Sequence, residues 1–264
     1  PCRFGCRYNR PADRDDSFTN LSPKLGLSYA LNDNHDLQFR VQQGFRAPQA
    51  TELYRLQNSQ TVASLDSVEL DSYEISVKGA GDNWNYSASW YFMDKENEIL
   101  TNSARENLND SHTAHRGIEF AMGYDISDTL SVQGVVNLAK HTYEKSQLSG
   151  GIDINGNDRD TAPNTFGNLR LQWRPTSAIL SEVEWVNMGD YYTNPENTAD
   201  YEGHDILNWR TQYQVNDDLS FYVNVLNVTD EKYAERADWT TFNGDRYFPG
   251  QPVRAFFGVT WNYK

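Results

Sequence analysis

The residues of this 264-residue chain best suited to chemistry are its histidines, an acidic run near position 155, and arginines interleaved with aromatics. The five histidines (His35, His112, His115, His141 and His204) are scattered, and only His112 and His115 are near neighbours. Two imidazoles fall short of the three or four protein ligands that a zinc site uses, so solvated histidines are expected and no metal site is assigned. Between Asp153 and Asp160, oxygen-bearing side chains alternate around Gly156 as in part of a calcium loop, but the distal bidentate glutamate is missing. A hydrated turn is expected there, with no bound cofactor. Serine and histidine fall in no order that suggests nucleophilic catalysis, so the chain does not read as an enzyme. More promising are Tyr191, Tyr192 and Tyr201 in one stretch, and Arg236, Trp239, Phe242, Arg246 and Tyr247 in another. Aromatic faces stack on planar groups and guanidinium pairs with anions. The same residues could instead knit loops together or form an interfacial girdle. Tyr191, Tyr192, Arg236, Trp239, Phe242 and Arg246 form the candidate ligand-binding set.

The elements that must position these residues are strands. Segments of about ten alternating residues recur along the chain, separated by gaps that are alternately short and long. The pattern predicts strands over 21–31, 37–45, around Tyr73 to Val77, 84–92, 117–124, 130–138, 166–174, 179–187, 207–215, 219–226 and 253–263. From Trp84 to Phe92 the alternation is clearest: Trp84, Tyr86, Ala88, Trp90 and Phe92 share one face, and Asn85, Ser87 and Ser89 the other. Eleven such strands of 9–11 residues match the length of a tilted membrane strand. Short turns would face the periplasm and long loops the outside. Arg46 to about Asp66, the stretch before Gly117, Thr142 to Ala162, Gly189 to Gly203, and the stretch ending near Pro252 read as the long loops.

Composition agrees with a barrel. Mean hydropathy is −0.76, and no stretch approaches the roughly 20 apolar residues of a membrane helix. Barrel strands average out near zero, so this excludes only helical membrane proteins. A soluble β-sandwich would bury Arg170, Gln172, Glu182, Glu184 and Arg210 in a dry core, at a cost of several kcal/mol for each unpaired charge. A water-filled lumen removes that cost. The net charge of −14 argues against nucleic acid as a partner. Cys2 and Cys6 are close enough to bridge in an oxidising compartment. The start at Pro1, with neither initiator Met nor signal peptide, suggests a processed or truncated piece.

Three stretches resemble TonB-dependent outer-membrane receptors. Gly44-Phe45-Arg46-Ala47-Pro48 with Thr51-Glu52-Leu53-Tyr54 is similar to the family's strand exit. Asn224-Val225-Leu226-Asn227-Val228-Thr229-Asp230-Glu231-Lys232-Tyr233 resembles a later strand exit. Pro249-Gly250-Gln251-Pro252-Val253-Arg254, followed by Phe256-Phe257-Gly258-Val259, resembles the terminal strand, although this chain ends in Lys264 with the aromatic Tyr263 one place earlier. In physical terms, Pro48 and Pro249-Gly250 interrupt a ladder, and Asn227 and Asp230 can bond nearby backbone where a strand ends. The resemblance implies that residues 1–264 are the C-terminal part of the barrel domain, the last eleven of 22 strands. The plug and early strands would lie outside them. It further implies outer-membrane import of a ferric siderophore, energised by the TonB complex through that plug, in contact with outer-membrane lipid and lipopolysaccharide. Other cargo (haem, cobalamin, copper or an oligosaccharide) and a passive porin-like barrel are the alternatives. So is a stand-alone barrel of about twelve strands, with one more strand hidden between Pro1 and Asn20.

Overall fold

The computed structural model describes residues 8–9, 11–57, 60–101, 107–145, 148–149, 151–240 and 243–263. Cys2, Cys6 and Phe242 lie outside the described residues. Among those described, eleven strands form one antiparallel sheet in which each strand pairs with its neighbours in sequence. They are β1 (Lys24–Asn32), β2 (His35–Arg46), β3 (Val68–Ala80), β4 (Trp84–Thr101), β5 (Asn107–Ser127), β6 (Leu130–Tyr143), β7 (Thr165–Thr176), β8 (Ile179–Met188), β9 (His204–Asn216), β10 (Leu219–Leu226) and β11 (Arg254–Trp261). The eleven predicted strands therefore all form. The only helix among the described residues, α1 (Ala50–Tyr54), sits in the first long loop. No described helix is long and apolar enough to cross a membrane.

Register joins the apolar faces into one surface. Leu27 pairs with Phe39, Phe39 with Ile75, Ile75 with Trp90, Trp90 with Ile118, and Ile118 with Leu138. On the other half, Leu171, Val183, Trp209, Val225 and Ala255 form a similar row. Large side chains on both rows are exposed, Trp90 and Ile118 by half their surface. The cost of a charge at bilayer depth, about 2–4 kcal/mol for Arg or Lys, accounts for their absence from these rows. On this outer face Arg116 and Lys140 pair with each other two positions above Ile118 and Leu138, and they mark the upper limit of the lipid belt.

The opposite face is polar. Glu184 of β8, only 7% of its side chain exposed, accepts hydrogen bonds from Arg170 Nε at 2.9 Å and Arg210 Nη1 at 2.8 Å. Asn208 and Asn168 add bonds at 3.2 and 3.4 Å, so one carboxylate ties β7, β8 and β9 together. Glu182 alongside it bonds Gln172 and Arg210. These are the charges that a sandwich could not have buried.

Four of the five short turns start with a side chain that accepts a backbone N–H two residues on: Asn32, Ser127, Thr176 and Asn216. Such local acceptors close a tight turn without help from the sheet.

Two expectations need correction. Strands β4 and β5 run for 18 and 21 residues instead of 9–11, and the gap expected before Gly117 is a hairpin. The ladder continues through Lys95–Thr113 to Thr101–Asn107, well above the lipid belt. Among its described residues, the segment before β1 adds no strand to the main sheet. Tyr8–Asn9 pairs with Leu56–Gln57. Arg14 Nη1 and Asn20 Nδ2 then bond Ala63 O and Ser67 Oγ, which keeps the segment beside the first long loop.

Candidate functional site

The three motif stretches are joints in the structure. In the first, Arg46 grips Glu52 with two bonds of 3.0 and 3.2 Å, and Glu52 also accepts the Gln49 N–H at 2.6 Å. Tyr54 donates to Asp16 at 2.6 Å, and Leu53, Leu56, Ala63 and Leu65 form a small buried core beneath the loop. The other two stretches clasp each other. Asn227, buried and left-handed at φ 52°, donates to Glu231 O and Gln251 O and accepts the Glu231 N–H. Asp230 accepts the Val253 N–H at 2.9 Å, and Gly250 lies flat on the Tyr233 ring, where a Cβ would clash. The clasp thus joins the exit of β10 to the entry of β11.

Above the belt, the loops after β6, β8 and β10 merge into one body. The last carries a hairpin, Ala234–Thr240 with Gly244–Pro249. Tyr191 and Tyr201, both buried, accept the Ala237 and Ala234 N–H groups at 2.8 and 3.0 Å, which docks the hairpin onto the neighbouring loop. Trp239 N–H adds a bond to Thr193 O. Within the hairpin, Asp238 accepts Arg246 Nε and Nη2 at 2.6 and 2.9 Å and Arg236 Nη2 at 2.6 Å. The guanidinium of Arg236 also lies 5.4 Å from the Phe248 ring centre. Bonding to Arg246, with Arg236 beside it, holds the Asp238 carboxyl below the usual carboxylate range. Asn197 and Asp158 then exchange bonds of 2.8 Å, which stitches in the loop after β6.

Of the candidate set, Tyr191 therefore packs and pins. Tyr192 and Arg236 are exposed, and Trp239 and Arg246 are half-exposed. Tyr247, next to the set, is 55% exposed. The acidic run does not converge on a point: Asp158 faces Lys140 and Asn197, and Asp160 accepts the Tyr143 hydroxyl at 2.6 Å.

A second cluster went unseen in the sequence. His115 and His141, on adjacent strands and inward-facing, stand with their Nδ1 atoms 2.8 Å apart just above the Arg116–Lys140 row. One ring donates and the other accepts. Burial, reinforced by His141, Lys95 and Arg159, pushes His115 down to about 4, so both rings are neutral at pH 7. Arg159 closes over them, bound to Glu98 at 2.7 and 3.3 Å and stacked 5.2 Å from the Tyr143 ring. Parity could have found the pair had β5 and β6 been carried past Gly117 and Leu138.

A wall with one apolar and one polar face, short turns below and merged loops above, is the architecture of an outer-membrane barrel. The family model described as TonB dependent receptor-like, beta-barrel matches residues 4–228. This chain belongs to that family. Its members are transporters of the outer membrane, not enzymes. The fold is also that of solved receptors. The siderophore receptor PiuA from Acinetobacter baumannii superposes with a TM-score of 0.76 at 17% identity, over 91% of this chain and 35% of that one. The ferric yersiniabactin uptake receptor FyuA from Yersinia pestis gives 0.74 at 14% identity, over 89% and 36%. The copper transporter OprC gives 0.72 at 14%, over 91% and 39%. The chain thus spans a little over a third of the length of these receptors, as an open arc of the barrel.

Proposed function

We propose that residues 1–264 form the C-terminal half of a 22-stranded barrel, in a receptor that binds a ferric siderophore at its extracellular mouth and imports it with energy from the TonB complex. The plug that would contact TonB, and the remaining strands, belong to other parts of the receptor. In this reading the apolar rows face outer-membrane lipid, and Arg116 and Lys140 lie level with lipopolysaccharide phosphates. The observation that carries the proposal is the merged loop body, in which Tyr191, Tyr201 and Asp238 are used for architecture while Tyr192, Arg236, Trp239 and Tyr247 stay accessible. Flat aromatic surface beside guanidinium suits a planar, anionic iron complex. Pre-ordering the loops lowers the entropy cost of binding.

The test is fluorescence titration of the purified receptor with ferric complexes of catecholate, hydroxamate and carboxylate chelators. Trp239→Ala and Arg236→Ala should each weaken the preferred complex about tenfold, the equivalent of roughly 1.4 kcal/mol. Unchanged affinity in both variants, or no binding of any complex, would remove the proposal. A second reading, copper as cargo, rests on the inward His115–His141 pair, since imidazole suits copper. His115→Ala would then abolish copper uptake while sparing ferric complexes.

A further inference from the structure

Where β4 and β5 rise above the lipid belt, their outer face carries a second group of ligating side chains, remote from the loop body. Asp94 and Glu96 occupy alternate positions of β4, and His112 lies across on β5. His112 Nε2 is 2.5 Å from Asp94 Oδ1. One ligand atom from each of the three residues lies within 4.8 Å of the other two.

The local backbone accounts for this convergence. Register shifts between Lys95 and Glu98, and Asn97 takes a left-handed φ of 57°. A bulge of this kind re-aims a side chain, here Glu96 toward His112. Asparagine is among the few residues that adopt this conformation readily, so Asn97 lets the chain bulge here at little cost. Asn109 Nδ2 bonds the Asn97 carbonyl at 2.6 Å and holds the bulge in place.

Charge on this face points the same way. Glu69 stands directly opposite Glu96, and Asp71 opposite Asp94, on adjacent strands. Like charges directly across a ladder repel. Among the described residues no lysine or arginine is ion-paired with any of these four carboxylates, since Lys95 and Arg159 both go to Glu98. Two opposed acidic pairs beside an imidazole leave an excess of negative charge that a divalent ion would offset.

We propose that Asp94, Glu96 and His112 bind a divalent transition-metal ion of the zinc class on the outer face of the β4–β5 hairpin. The imidazole selects against calcium and magnesium, which favour all-oxygen shells, and two carboxylates with one imidazole suit zinc. The ion would take the place of the direct His112–Asp94 contact, with Glu69 and Asp71 adding outer-shell charge. Bound there, it ties both arms of the hairpin above the membrane. This site is independent of the cargo reading.

The experiment is calorimetric titration of the purified full-length receptor with zinc chloride at pH 7, repeated with magnesium chloride. Wild type should show a zinc site that weakens at least tenfold in His112→Ala and again in Glu96→Gln. His115→Ala, at the inward pair, should leave that site intact. Hydrogen exchange of the β4 and β5 amides should slow on zinc addition in wild type and not in the two site variants. Zinc affinity unchanged within twofold in both site variants overturns the proposal. So does a site that binds magnesium equally well and ignores His112→Ala.

Discussion

Two carboxylates in this molecule are each gripped by a pair of arginines, and they do different work. Glu184 sits in the barrel wall between Arg170 and Arg210, which belong to strands already aligned by continuous ladders. Asp238 sits above the membrane between Arg236 and Arg246, both from its own hairpin. Remove the first and the strands stay in register but lose a cross-tie. Remove the second and the hairpin loses the ion pair that stiffens it. The same chemistry supplies energy in one place and geometry in the other.

Glu184→Ala should have the largest effect on global stability. It leaves two guanidiniums and two amides side by side on the same stretch of wall without the carboxylate between them, so denaturant unfolding should show a loss of about 2 kcal/mol, with loop proteolysis unchanged. Asp238→Ala should reverse the pattern. Cleavage between Ala234 and Pro249 should rise severalfold to tenfold through local opening, while the global unfolding midpoint barely moves. If both variants behave alike, the division between wall and loop is wrong.

Acid separates the regions further. The folded-state pKa of His115 lies at about 4, below the ordinary 6.5, so the unfolded chain binds the extra proton first. Stability from this pair is full above 6.5 and falls as pH drops from 6.5 toward 4. The Asp238 carboxyl is also depressed, so its contribution is present above its ordinary 3.8 and is lost only below that, as pH passes through the folded value. Hydrogen exchange at pH 5 should therefore quicken around His115 and His141 and leave the Asp238 hairpin protected. The smallest effect is expected for Tyr247→Ser, within about 0.5 kcal/mol on unfolding. Any larger consequence should appear only in cargo binding.

The strands were legible because lipid on one side and water on the other impose a period of two, as from Trp84 to Phe92. That signal stops where the lipid stops. Past Phe92 the outward positions of β4 become Asp94 and Glu96, and those of β5 become His112 and Arg116. The ladder continues with both faces in water, so no amphipathic pattern marked it. The loop residues posed a different problem. Tyr191 and Arg246 have the composition of a binding surface, and nothing local announces that a phenol will meet an amide 46 residues away. Tyr192 and Trp239 carry no such mark either way. The His115–His141 pair was hidden for the same reason as the tall hairpin, because it depends on register beyond the lipid belt.

The Asn227 clasp has a consequence for assembly. Strand β11 touches the rest of the described sheet along one edge, through β10. A slip of one residue would turn Phe257, Val259 and Trp261 from lipid toward water. By holding Gln251 and Val253 against the end of β10, Asn227 and Asp230 act as a datum for the last strand. They set the height of its other edge, which is unpaired among the described residues, so any strand that joins there would inherit its alignment from a buried asparagine beyond the lipid belt.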